Sequence, residues 1–274
     1  MTTGFDQSAA SDPRRAEAIY ALINDGLSGN GLAVLFQPIV DTTTFHTIGA
    51  EALVRAEHPE LGIIGPDELF FHAERIGRTT RLEEWILRES CTAAGRWWQR
   101  FHSEAPFVSV NITGAMAERP ELPDLIRSLR REFDLPGYLL ELEMPEQDMA
   151  ELTGRVWESM AKIRATGVHL GLDDFGQGMA SLATLRDYPV SFVKLGRSFV
   201  EGIGLVDRNL EIIDATIYLC HKLGMPVIAK GVETAQQFDA LRAVGCDRMQ
   251  GYMFSPPTSA DGITAAVAQH ATAV

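Results

Sequence analysis

Several familiar signatures are missing from this chain of 274 residues. No Gly-x-Gly-x-x-Gly follows a first β run and there is no P-loop, so nucleotide binding of the Rossmann or phosphate-loop kind has no support. No Ser-His-Asp or Cys-His order is evident, which leaves nucleophilic acyl transfer with little support. Cysteine is scarce. Cys91, Cys220 and Cys246 are odd in number, widely spaced and set among apolar residues, which argues for reduced core thiols and against a disulfide framework or zinc site. No apolar run approaches ~18 residues and residues 1–11 lack a basic-then-apolar pattern, so neither a membrane span nor an export signal is expected, and the expected compartment is the cytoplasm. Positive charge is also short: 24 Lys and Arg against 37 Asp and Glu give a net charge of −13. Duplex nucleic acid is therefore not an expected partner, because sequence-independent binding needs a basic surface to displace counterions.

What is present is a long alternation of strand and helix patterns. Residues 1–11 are small and polar and read as a disordered lead to one domain over 12–274. Asp12-Pro13 reads as an N-cap and first-turn proline, opening a helix through Ile23. Residues 33–40 and 46–54 are β runs close enough to pair antiparallel. Thr80 and Glu83 have the spacing of a capping box ahead of a long amphipathic helix reaching about Arg100, in which Trp85, Trp97 and Trp98 read as packing residues. Short β runs at 107–112, 139–143, 169–173, 192–195, 227–230 and 248–251 then alternate with helical stretches around 124–133, 151–166, 208–223 and 234–244. Gly167, Gly224 and Gly245 each follow a helical stretch, where a left-handed cap wants glycine. Such alternation implies a parallel sheet, and about eight strands favour a closed α/β barrel over an open sheet.

The polar residues of these apolar runs fall at or near the strand ends: Gln37, Glu51, Asn111, Glu143, Asp173 with Asp174, Lys194, Lys230 and Gln250. In an α/β barrel those ends form the active-site rim. Two neighbouring carboxylates converge only where a strand ends and the chain bends, and Gly176 and Gly178 are expected to supply the bend at Asp173-Asp174. Oxygen ligands from Glu51, Asn111, Glu143, Asp173 and Asp174 suit Mg or Mn, the hard cations that hydrolyse phosphodiesters in pairs. Arg55 suits bidentate contact with a phosphate.

These residues resemble the EAL-domain family, the cyclic-di-GMP phosphodiesterases. The resemblance is carried by Gln37-Pro38-Ile39-Val40, Glu51-Ala52-Leu53-Val54-Arg55, Ser109-Val110-Asn111, Leu140-Glu141-Leu142-Glu143, Asp173-Asp174-Phe175-Gly176, Lys194 with Arg197-Ser198-Phe199, Gly231-Val232-Glu233-Thr234 and Gln250-Gly251-Tyr252. It implies a modified TIM (β/α)8 barrel whose first strand runs antiparallel. It also implies that Glu51, Asn111, Glu143 and Asp173 hold one metal, that Asp173 and Asp174 hold a second, and that Lys194 contacts the attacking water. Gln37, Glu51, Leu53, Arg55 and Gln250 would face ligand, and Glu146 and Glu233 would join the catalytic set.

The departures from the family pattern matter as much. Lys230 stands where active members carry the second-metal glutamate. Gln177, Met179 and Ala180 alter the loop that links metal occupancy to dimerisation, Pro145 replaces a threonine, Gly196 replaces an aspartate and Ala56 replaces a tryptophan. With glutamate at 230 the first shell would hold five carboxylates and one lysine, matching two divalent ions; with Lys230 it holds four carboxylates and two lysines, matching one. An ammonium about 4 Å from a dication is repelled by ~8 kcal/mol at an effective dielectric of about 20. The expectation is a degenerate member binding at most one Mg or Mn ion. It would serve as a cyclic-di-GMP receptor or a protein-interaction module with an unknown protein partner, with at most a weak homodimer. The alternative is an active metal-dependent phosphodiesterase that opens cyclic-di-GMP to the linear dinucleotide.

Overall fold

A closed ring of strands dominates the computed structural model of the chain, which describes residues 12–27, 31–151, 154–176, 185–186, 188–206 and 208–271. The expected disordered lead at 1–11 and the altered loop positions Gln177, Met179 and Ala180 lie outside the described residues. The strands are β1 (Leu32–Asp41), β2 (Thr47–His58), β3 (Gly62–Ile64), β4 (Phe107–Asn111), β5 (Leu140–Pro145), β6 (His169–Phe175), β7 (Phe192–Leu195), β8 (Val227–Lys230) and β9 (Arg248–Gln250). Their order is β1-β9-β8-β7-β6-β5-β4-β2-β3, and a further β1–β2 pairing closes the ring. β3 pairs with the end of β2, outside the ring. β1 is antiparallel to both neighbours, and the remaining ring pairs are parallel. This is the modified TIM barrel.

The reversal of β1 follows from its short connection to β2, since parallel strands need a long crossover and antiparallel ones do not. Asp41 holds that turn, its Oδ1 accepting from the Thr43 and Thr44 N–H groups at 3.0 and 2.7 Å. Along each strand alternate side chains face the ring interior, which stacks it in layers. The lower layer includes Glu141, which meets Arg248 at 3.2 Å and His169 at 3.5 Å. Two glycines make room in the same layer: a Cβ at Gly49 would lie 2.3 Å from the Phe107 ring, and one at Gly171 would lie 2.2 Å from the Phe192 ring. Two residues further along their strands come Glu51, Asn111 (from Ser109), Glu143, Asp173, Lys194 and Gln250.

Helices cover the outside. Asp12 caps the first one, Pro13–Gly26, by accepting from Arg14 N–H, and the helix runs three residues beyond Ile23. Residues 151–166 contain the end of one helix, Glu146–Glu151, and a second one, Gly154–Arg164. Gly167, Gly224 and Gly245 have φ of 90°, 74° and 78°, the left-handed caps expected of them. The Thr80–Glu83 capping box does not form. The helix Thr79–Phe101 starts after Arg78 with no side-chain cap, because Glu83 is buried and accepts instead from Thr113 N–H at 2.8 Å. A capping box does close at the helix Ala235–Ala243, between Thr234 and Gln237.

Candidate active site

Glu51, Glu143, Asp173, Lys194 and Gln250 are buried together at the carboxyl end of the parallel strands. Lys194 has no exposed surface and donates to Glu51 Oε2 at 2.9 Å and Glu143 Oε2 at 2.7 Å. Glu51 also accepts from Asn111 Nδ2 at 2.8 Å and from Gln250 Nε2 at 2.7 Å. Gln250 Nε2 reaches Gln37 Oε1 at 3.0 Å, and Gln37 donates to the Ser255 carbonyl. Ser109, which was not singled out as a site residue, donates its hydroxyl to Glu143 Oε1. Its position two residues before Asn111 is the signal, since the strand period places both on one face.

Lys230 is the second cation of the mouth. Its Nζ lies 2.6 Å from Asp173 Oδ1 and 2.7 Å from Asp174 Oδ1. The Asp173 contact is an ion pair without hydrogen-bond alignment, and Gln250 Oε1 is likewise buried without a donor. The bend that lets both aspartates converge is made at Asp174 itself, with φ of 54°, and continues at Gly176 with φ of 88°. Aspartate tolerates the left-handed region better than most residues. Glu146, itself buried, accepts from the Gly176 N–H at 2.7 Å and ties this bend to β5.

Burial and charge pull these groups in opposite directions. Burial acts to raise Glu51, but the Lys194 and Lys230 ammonium groups overcome it and hold the carboxyl at about 2. For the deeper Glu143, burial wins against Lys194, reinforced by Glu51 and Asp173, and pushes the carboxyl up to about 8. Burial pulls Lys230 down, and the Asp173, Glu51 and Asp174 carboxylates more than reverse this. Lys230 therefore stays charged, where its burial alone favoured a lost proton.

Three expected residues stand apart from the cluster. Arg55 is half-buried; its Nη1 donates to the Val54 carbonyl, and burial lowers its pKa. With Ala56, Leu32, Ile63 and Tyr252 it lines a groove of about 680 Å³, within the roughly 300–1,000 Å³ of ligand pockets. Leu53 is half-buried opposite Leu35, in the β1–β2 hairpin. Glu233 is not brought into the mouth: it is 43% exposed and pairs with Arg197 at 2.8 Å. The three-residue step from Lys230 passes Gly231 at φ of 77°, so strand periodicity no longer governs where Glu233 lies.

A family model for the EAL domain matches residues 21–257. The chain belongs to the EAL domain family. It is 35% identical over 235 residues to the cyclic di-GMP phosphodiesterase NbdA of Pseudomonas aeruginosa, covering 86% of this chain and 30% of that protein. It is 34% identical over 268 residues to the uncharacterized protein Rv1357c of Mycobacterium tuberculosis, covering 95% of this chain and 87% of the relative. Several curated relatives that it matches are far longer, and the chain spans about 30% of their length. Among solved structures, the PaMucR phosphodiesterase in complex with c-di-GMP superimposes with a TM-score of 0.84 at 28% identity, covering 89% of this chain and 99% of that one.

The donors in this EAL mouth do not fit a pair of divalent ions. The space between Asp173 and Asp174 is held by the Lys230 ammonium, and that between Glu51 and Glu143 by Lys194. Among the described residues no group of three His, Cys, Asp or Glu side chains is arranged to hold a metal ion. The expected ligand set Glu51, Asn111, Glu143, Asp173 and Asp174 is thus gathered in one mouth, with each carboxylate in contact with an ammonium group of the chain. Lys194 touches no open space and contacts Glu51 and Glu143 in this arrangement.

Proposed function

We propose that this EAL domain binds cyclic-di-GMP with little or no hydrolysis, as a receptor or an interaction module of cyclic-di-GMP signalling. The observation that carries the reading is the Lys230 ammonium 2.6 and 2.7 Å from Asp173 and Asp174. A cation covalently fixed there countercharges the two aspartates but cannot polarise a water into hydroxide, which is what the second ion of a two-metal hydrolase supplies. Arg55 on the groove and Lys230, with its side chain 18% exposed, are the cations open to a ligand phosphate. Ala56 in the groove wall leaves room where the family pattern has tryptophan. A titration calorimeter, with cyclic-di-GMP added in the presence and absence of Mn2+, should record saturable binding in both conditions, while chromatography of the mixture shows no linear dinucleotide. A chain that gives no heat with cyclic-di-GMP is not a receptor.

A second reading is a working phosphodiesterase. It draws on the retained cluster of Glu51, Asn111, Glu143, Asp173 and Lys194 and on the likeness to NbdA. Metal-dependent appearance of the linear dinucleotide would select it.

A further inference from the structure

We propose a second ligand site, for a nucleoside monophosphate, on the rim of the barrel opposite the mouth. A cavity of about 410 Å³ lies there, lined by Trp98, Arg127, Arg130, Arg131, Asp134 and Leu135 among others. Leu135 leads through the turn Gly137–Leu139 into the amino end of β5, whose other end carries Glu143. The cavity and the mouth are therefore at opposite ends of one strand.

Three arginines and one carboxylate line this hollow and Asp124 pairs with Arg127 from the exposed side, so cations outnumber carboxylates three to two in a chain whose net charge is −13. Part of that excess is structural. Arg130, in the last turn of the helix Leu122–Glu132, donates to the carbonyls of Leu135 at 3.2 Å and Thr166 at 2.9 Å, and cations suit the negative end of a helix. That role leaves Arg130 Nη2 without a partner among the described residues. Among the described residues Arg127 pairs only with the exposed Asp124, and the Arg131 guanidinium makes no hydrogen bond or ion pair with any of them. Helix capping also needs no hollow and no aromatic wall. Trp98 is brought to the spot by Gly95, whose missing Cβ would lie 2.9 Å from the Phe133 carbonyl oxygen. The ring stands edge-on to Tyr138 and His102.

The chemistry of the lining selects the ligand. A phosphate monoester is close to a dianion at neutral pH and suits a cationic lining, and arginine presents forked donors to phosphate oxygens. An aromatic wall beside that anion site suits a planar base, since base–aromatic stacking is sequence-tolerant and favourable. The volume is in the range of small-molecule pockets.

The test is calorimetry of the whole chain with AMP as the probe and inorganic phosphate as the ringless control. We expect saturable AMP binding, at least roughly tenfold tighter than inorganic phosphate, and weakened at least tenfold in the double variant Arg127→Ala/Arg131→Ala. Both positions are exposed helix surface, so a thermal melt should show the variant folded, and its cyclic-di-GMP titration should match that of the wild type. Absence of saturable AMP binding overturns the proposal, as does equal affinity in the double variant or equal affinity for inorganic phosphate. Displacement of AMP by cyclic-di-GMP also overturns it, by placing AMP in the mouth. The cyclic-di-GMP titration is read separately, so failure of the receptor reading leaves this result intact.

Discussion

Two buried charge clusters sit one above the other inside the barrel, and they are balanced differently. In the lower one a single carboxylate, Glu141, meets Arg248 and His169, and Arg248 keeps a fifth of its side chain in solvent. In the upper one, four carboxylates share Lys194 and Lys230, both ammonium groups lying within 3 Å of two carboxylates each. The same kind of group serves fixed structure where the charges cancel. Where they do not cancel, a residual negative charge is left at the barrel mouth. Only four lysines occur in the whole chain, and two of them stand in the upper cluster.

Replacing Lys230 should change the upper cluster most. Lys230→Glu removes the fixed cation and adds a carboxylate, so Mn2+ binding followed by calorimetry should rise to about two ions per chain, and cyclic-di-GMP turnover should rise at least roughly tenfold. A wild-type turnover already of order 1 per second or more would erase the contrast on which this rests. Lys194→Met is expected to cost about 3–5 kcal/mol in urea denaturation, because it strips the buried, ionised Glu51 of its nearest cation and Glu143 Oε2 of its donor. Equal stability would show that the mouth carboxylates need no internal partner. Glu141→Gln should cost less, about 1–3 kcal/mol, since Arg248 can turn to water, and should leave ligand and ion titrations unchanged; a shift in either would couple the two clusters.

A further expected effect is on pH dependence. Glu143, raised from 4.5 to about 8, binds its proton more tightly when folded, so its contribution is full below 4.5 and is lost as pH rises to about 8. Glu51, lowered from 4.5 to about 2, contributes fully above 4.5 and loses that contribution as pH falls to about 2. Stability measured by denaturant should therefore decline from pH 5 to pH 8, and Glu143→Gln should flatten the decline. An unchanged slope in that variant would assign the decline to groups outside the upper cluster.

Much of the upper cluster was legible because buried strands are apolar, so Glu51, Glu143, Asp173, Lys194 and Gln250 stand out against Val, Ile and Leu neighbours, and strand ends share a rim. The reversed first strand was legible from two β runs separated by a few polar residues. What was not legible depended on distances between remote segments. Glu83 has the spacing of a capping box, yet the Thr113 N–H, 30 residues away, takes its carboxylate. Glu233 follows a family motif, yet Arg197 holds it on the surface. β3 is three residues long, too short for an alternation to register. The arginine hollow was hidden by the net charge: a total of −13 says nothing about Arg127, Arg130 and Arg131 sharing one helix face.

The reversed first strand has a consequence for how force reaches the ligand rim. In an all-parallel barrel the chain enters the first strand at the rim away from the active site. Here Leu32 begins β1 opposite Ala56, near the end of β2, and Gly31, Leu32 and Arg55 line the same groove. The helix Pro13–Gly26 therefore precedes a strand that starts at the lip carrying the Arg55 groove, while Arg15 clamps that helix to Glu68 at 2.6 Å. A twist applied along this helix has a short path to the Arg55 groove, through Leu32 on one side and through Glu68 on the other, which makes the helix a lever whose short arm ends at that groove.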